Sequence, residues 1–423
     1  MTEHDPAKPS RASRRMFLGG ALGTAGLVAA GGAGFGIARA AEPGDSSSSA
    51  GGSGIVPFYG AHQAGIATPA QDRVAFAAFD VTSTDVDALR TLLATWAAAA
   101  GQLTKGQPIG AVETAPDAPP IDTGEALGLG ASSLTVTVGF GPTLFDDRFG
   151  FAKRRPAALA DIPSLPGDAL ELDISNGDLC VQACANDPVV AFHVIRNFAR
   201  LARGTAVMRW SQLGFGRTSS TSTTQQTERN LLGFKDGTRN IKAESLDDFD
   251  RFVWVGDETD QPWMKGGSYV VTRRIRMLLE SWDTDYLADQ EKVIGRSKNS
   301  GAPLTGTAEF DTPILTEKKD GAYVIDARAH IRLASPLSND NMKILRRGYS
   351  FTDGIDQTTG LLDAGLFFIA YQKDPRKQFV PIQAQLGQHD LLNEYIKHTS
   401  SAVFAVPPGL TAAGDYYGKA LFA

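Results

Sequence analysis

The stretch GFKDGTRN, residues 233–240, carries more chemistry than a turn requires. Asp236-Gly237 marks a turn, yet a lysine precedes it and an arginine follows closely. An aspartate so placed could shape the loop, bind a metal, attack a phosphate or move protons. A phosphatase built on D-x-D-G needs its nucleophile where Phe234 stands. The same Phe234 breaks a calcium loop, which wants oxygen ligands at alternate positions. No G-x-x-x-x-G-K-[ST] loop occurs, and Gly233 with Gly237 does not make G-x-G-x-x-G. Proton transfer and a purely structural turn are left.

The chain has six histidines. His4 lies at the extreme N-terminus. His193 is expected on the solvated flank of a helix beside Arg196 and Arg200. His389 and His398 are expected on opposite sides of a helical stretch. No pair forms H-E-x-x-H, which argues against a zinc hydrolase. His62, in FYGAHQAGI, and His330, in ARAHIRLASP, remain. Further on, ILRRGYSF places Arg346 and Arg347 side by side. On a strand they point to opposite faces, so one faces inward, where an uncompensated charge is costly. An inward arginine wants an anion or a polar cofactor.

These residues need a scaffold, and its elements alternate. Val74 to Val81 reads as a strand. Ser83 or Thr84 can cap a helix carrying Val86, Leu89, Leu93 and Trp96 on one side. Leu134, Val136, Val138 and Phe140 alternate as a half-buried strand. LCVQACANDP (179–188) runs into a helix begun by Asp187 and Pro188, and Val207 to Leu213 is a further strand. The second half repeats the theme, with a strand at Ser268 to Ile275, a helix around Leu287 to Ile294, and a strand at Gly365 to Gln372. LFFIAYQKDP (366–375) matches LCVQACANDP at four of ten positions, Leu, Ala, Asp and Pro. The repeat predicts an α+β chain of two ferredoxin-like halves, divided near Thr218 to Thr227. Cys180 and Cys184, the only cysteines, would lie on one strand face about 13 Å apart. That is too far for a disulfide, and both read as packing residues.

The 423 residues are 42% hydrophobic and 21% charged, with net charge −6. This is globular composition, and no basic stripe points to nucleic acid. Ser13-Arg14-Arg15-Met16-Phe17-Leu18 precedes a mild apolar run ending at Ala38-Arg39-Ala40. Paired arginines, that run and an A-x-A site read as a twin-arginine export signal over residues 1–41. The route carries folded proteins, often ones already loaded with a cofactor. A Ser/Gly-rich linker follows at 42–54, with folded halves expected at 55–220 and 221–423. Export predicts a periplasmic, extracellular or cell-envelope location, with membrane contact only through the signal.

With its Asp, His and Arg stretches in this order, the chain closely resembles the dye-decolourising (DyP-type) haem peroxidases. GFKDG matches their G-x-x-D-G signature, HIRLASP the proximal-histidine stretch and ILRRGYSF the distal-arginine stretch. FYGAHQAGI and the export signal resemble the exported branch, which includes the deferrochelatase/peroxidase of bacterial iron uptake. The resemblance implies two ferredoxin-like domains, with one haem b per chain held mainly by the second. It implies His330 as iron ligand, Asp236 as proton shuttle for hydrogen peroxide, and Arg346 as stabiliser of developing negative charge. Gly237, Thr238, Arg239, Ser335, Pro336 and Arg346 would line the haem. Ser335 stands where relatives often have Asn. Glu394, in LLNEYIKH, is the expected acceptor for the second nitrogen of His330. His62 carries no ligand role. The implied activity is peroxide reduction with oxidation of dyes, phenols or similar donors. Alternatives are iron release from haem, with iron-uptake components as partners, or haem storage and delivery. A homo-oligomer is left open.

Overall fold

The computed structural model describes residues 54–111 and 114–423, so the expected export signal and most of the linker lie outside the described residues. The first half runs β1 (Arg73–Val81), α1 (Val86–Leu103), β2 (Thr135–Phe140), β3 (Leu179–Ala185), α2 (Pro188–Leu201) and β4 (Ala206–Arg217). Asp187 caps α2, accepting from the Val189 and Val190 amides, with Pro188 in the first turn. The cap of α1 is Asp85, not Ser83 or Thr84; Ser83 instead accepts from the Asp85 amide.

The second half runs α3 (Leu246–Phe252), β5 (Ser268–Met277), α4 (Leu279–Trp282), α5 (Leu287–Ile294), β6 (Lys318–Lys319) and β7 (Ala322–Tyr323). Then come α6 (His330–Leu333), β8 (Leu345–Arg346), β9 (Tyr349–Ile355), β10 (Leu362–Gln372), α7 (Phe379–His389) and β11 (Ile396–Val406). The order β5-β11-β2-β3-β1-β4-β9-β10, with β10 paired back to β5, closes eight antiparallel strands into a barrel shared by both halves. Its interior is one apolar cluster, including Phe76, Cys180, Cys184, Trp210, Tyr349, Phe351, Phe367, Tyr371 and Phe404. Both cysteines are free and buried there, as packing residues. The outer faces carry two further clusters, one under α1 and α2, the other around Phe234, Trp282, Leu366 and Tyr395. A fully buried side chain such as Phe76 or Phe404 is worth about 1.5–3 kcal/mol.

Two histidines differ from expectation. His193 is 4% exposed, because the segment before β2 folds back over α2. Its Nε2 lies 3.3 Å from Asp122 and its Nδ1 3.2 Å from Glu125. His398 is on β11, not a helix; Ile396, Thr399, Val403 and Val406 are β-branched, and the strand is buried on both faces from His398 onward. It is buried, and Arg273 donates to its Nδ1 at 3.4 Å. No helix among the described residues is long and apolar enough to cross a membrane.

Burial and the Arg273 charge push the His398 pKa down from 6.5 to about 3. The unfolded chain takes up this proton near pH 6.5, while the folded chain refuses it until pH falls to about 3. Stability therefore declines as pH drops through that window, by up to about 1.4 kcal/mol per unit. Urea midpoints at about pH 7 and pH 5 should fall further for the parent than for His398→Gln.

Candidate functional site

The loop around Asp236 is built by short-range bonds. Gly233 and Gly237 sit at φ +83° and +88°, conformations that suit glycine. The Gly233 amide bonds the Asn230 carbonyl at 2.9 Å, and the Asp236 amide bonds Glu228 at 3.0 Å. A Cβ on Gly237 would come within 2.8 Å of the Ser219 Cα, so the loop lies flat on residues 218–220. This holds the Asp236 carboxylate over its partners. Arg346 donates to Asp236 Oδ1 at 2.6 Å, while Oδ2 has only Asn230, at 3.4 Å.

Arg346 reaches the carboxylate because β8 and β9 form one continuous pairing with β10. Arg346 lies opposite Ala370, the Arg347 amide bonds Ile369, and Tyr349 lies opposite Phe367. Alternation then separates the two arginines. Arg347 is wholly buried and donates to the Ile66 and Thr68 carbonyls and to Gln71. The two terminal nitrogens of the inward arginine thus meet neutral oxygens rather than an anion, and its buried Nε has no partner. Arg346 faces the other way. Asn240, the last residue of GFKDGTRN, locks the two segments together. Its amide accepts from the Arg346 N–H at 2.8 Å and donates to the Arg346 carbonyl at 2.8 Å.

His330 opens the short helix α6. Its Nδ1 lies 2.6 Å from Asp390 Oδ2, and the Asp390 side chain is 2% exposed. Asp390 Oδ1 meanwhile accepts from the Leu392 amide. Asp390 Oδ2 accepts the hydrogen bond from Nδ1–H, which leaves Nε2 as the free lone pair. The acceptor is therefore Asp390, not Glu394. The chain turns sharply at Asp390, which caps the 3-10 turn Leu391–Glu394; the cap, not the turn's far end, faces His330. Burial lowers the His330 pKa, but the Asp390 charge and hydrogen bond, with Asp236 further off, outweigh it and leave the pKa raised. Asp236 and Arg346 both act electrostatically on His330, which puts the three within charge-interaction range of one another.

That site is ringed by cations. Arg296 is 5% exposed. Burial first, then the charges of Arg239 and Arg346, pull its pKa down to about 10, against Glu309. Lys242 is lowered by burial and by Arg346. Glu309 and Glu244 offset part of this positive charge, and an anion placed among these cations would be favoured. The donor set fits the haem that the resemblance implies: one imidazole with a free Nε2, a third of that side chain accessible, and arginines suited to propionates. Among the described residues no group of His, Cys, Asp and Glu could hold a bare metal ion. A cleft of about 550 Å³ lies elsewhere, at one barrel mouth beside Trp210, Arg274 and Asp363.

Thr238 is buried and donates to Glu309 at 3.1 Å. Arg239 is exposed and donates to Thr312 Oγ1 at 2.8 Å. Ser335 accepts from the Leu337 amide at the start of the turn Pro336–Ser338, just after α6. His62 stands apart, stacked on Trp254 at 3.8 Å and bonded through Nδ1 to the Gly266 carbonyl. Asp390, Arg296, Asn240 and Glu309 were not singled out from sequence. Only Asn240 had a signal, as the polar end of the motif itself.

The family description "Dyp-type peroxidase, N-terminal" matches residues 63–216, and "Dyp-type peroxidase, C-terminal" matches residues 227–411. The chain is 38% identical over 371 residues to a deferrochelatase of Yersinia pseudotuberculosis, covering 86% of this chain and 84% of that one. It is 37% identical over 372 residues to the deferrochelatase of Escherichia coli K12, covering 86% of each. Among solved structures, ferric DtpA from Streptomyces lividans aligns with TM-score 0.80 and 42% identity, over 87% of this chain and 97% of that one. A DyP-type peroxidase from Cellulomonas bogoriensis aligns with TM-score 0.78 and 39% identity, over 88% and 99%.

The two carboxylates near His330 can be told apart by haem titration. Asp390→Asn should weaken haem retention about 10–100-fold and alter the haem spectrum, as loss of a carboxylate behind a ligating imidazole does. Glu394→Gln should leave both unchanged.

Proposed function

The chain belongs to the Dyp-type peroxidase family and is a haem peroxidase, and from that premise we propose what each residue of the site does. His330 Nε2 is the iron ligand, and Asp390 fixes its tautomer and makes the imidazole more electron-rich. Arg239 and Arg296 pair with the propionates, and Gly237, Thr238, Ser335 and Pro336 line the porphyrin. Haem b, when bound, supplies the redox chemistry that reduces hydrogen peroxide and oxidises a donor.

Asp236 moves the proton. Its Oδ1 is engaged by Arg346 at 2.6 Å, so Oδ2 is the working atom. Oδ2 accepts a proton from the attacking oxygen of hydrogen peroxide and returns it to the oxygen that leaves as water. Arg346 offers N–H groups to the negative charge that develops between these events. Its bond to Oδ1 also keeps the carboxylate turned toward the shared space. The observation that carries this reading is the Asp236–Arg346 pair, which acts on His330 across that space.

The strand orders β2-β3-β1-β4 and β11-β5-β10-β9 support a ferredoxin-like arrangement in each half, divided near residue 220. Asp236, His330, Arg346 and Asp390 all follow that division, which supports haem binding by the second half. The paired arginines at 14–15 support twin-arginine export. A second reading is iron release from haem, favoured by the relatives named deferrochelatase.

His330→Ala should lose or disorder the haem, read from the Soret band. Asp236→Asn and Arg346→Leu should keep haem but slow the peroxide reaction about 10²–10³-fold in stopped flow. Unchanged peroxide kinetics in both would favour haem storage. Metal-free porphyrin appearing from bound haem would support iron release.

A further inference from the structure

We propose that Glu309 is a positioning residue for the peroxide reaction, holding the Asp236 loop from both flanks; this rests on the peroxidase reading above. Glu309 lies far from the motif in sequence, between α5 and the β6–β7 hairpin. Its side chain is 11% exposed, and both oxygens are engaged. Oε2 pairs with the Lys235 ammonium, and Oε1 accepts from Thr238 at 3.1 Å. Lys235 and Thr238 bracket Asp236 on either side.

The segment carrying Glu309 is itself fixed. Arg296 donates to the Glu309 carbonyl at 3.1 Å and to the Gly301 carbonyl at 2.7 Å. Arg239 completes the grip by donating to Thr312 at 2.8 Å. The loop is thereby held at Lys235, Thr238 and Arg239, which leaves Asp236 little freedom to swing.

Charge gives a second reason. Lys235 is the immediate neighbour of Asp236, and its cation needs a carboxylate. Glu309 supplies one. Without Glu309 the nearest acid in the loop is Asp236 itself, and Lys235 would compete with Arg346 for it. A half-buried ion pair adds little stability on its own, but it sets which cation Asp236 meets. Asp236 then faces Arg346 with only Asn230 at Oδ2.

The test uses the full chain loaded with haem, comparing Glu309→Ala, Glu309→Gln and Thr238→Val with Asp236→Asn as control. Stopped flow gives the peroxide rate, steady state gives the donor KM, and hydrogen exchange reads the 230–240 peptides. Glu309→Ala should slow the peroxide step about 10–100-fold, with haem content and donor KM unchanged and faster loop exchange. Glu309→Gln keeps an acceptor for Thr238 but loses the ion pair, so it should fall between parent and Ala in both readouts. Should the Ala variant fail to fold, Gln and Val carry the same measurements. A parental peroxide rate in Glu309→Ala, or slowing with unchanged loop exchange, overturns the proposal. A parental rate in Asp236→Asn would instead remove the peroxidase role of Asp236, while the exchange data still decide whether Glu309 holds the loop.

Discussion

A carboxylate and a guanidinium 2.6 Å apart, brought together across 110 residues of chain, are what the rest of this site depends on. Neither residue is oriented by the pair alone. Asp236 is held by a loop whose two left-handed glycines and close contact with Ser219 admit little else. Arg346 is held by a strand pairing whose register cannot slip without exchanging it for Arg347. Asn240 joins the two by bonding both backbone groups of Arg346. The carboxylate, guanidinium and imidazole thus keep their relation through backbone contacts, which suits proton transfer that depends on sub-ångström placement.

The barrel explains why adjacent arginines end so differently. Strand alternation sends one side chain to each face. The inner face packs against the apolar cluster, so Arg347 gives its donors to carbonyls and Gln71. The outer face meets the Asp236 loop, α6 and the segment after α5, where Arg346, Arg296, Arg239 and Lys242 gather. An interior cation held by neutral oxygens at both terminal nitrogens is a structural feature. A cluster of cations sharing one space with a lone imidazole is a binding feature. The contrast is why the proposed site is sought on the face that carries Arg346 rather than on the face that carries Arg347.

Much of the scaffold was legible because its signals are local. The Asp187-Pro188 cap, the alternation of β2 and the LCVQACANDP/LFFIAYQKDP repeat all name elements that exist. Exclusion left His62 beside His330 and did not separate Arg346 from Arg347; the resemblance to the DyP-type motifs in order is what singled out Asp236, His330 and Arg346. What escaped was set by tertiary contact. Asp390 and Glu394 are near in sequence, and only the turn at Asp390 decides which one faces His330. His193 looked solvated because nothing in its helix shows that Asp122 and Glu125 fold over it. His398 follows directly on a helical stretch, and only the pairing of β11 with β5 makes its segment a strand. Barrel closure through β10 and β5 pairs residues nearly a hundred positions apart and leaves no local trace.

The most direct test of the central claim is the solvent isotope effect on the peroxide step, measured by stopped flow in H2O and D2O for the parent and for Asp236→Asn. If Asp236 carries the proton, the parent slows in D2O, and the variant loses both its rate and that sensitivity. An equal isotope effect in parent and variant would contradict the account, because the proton would then travel by a route that does not include Asp236.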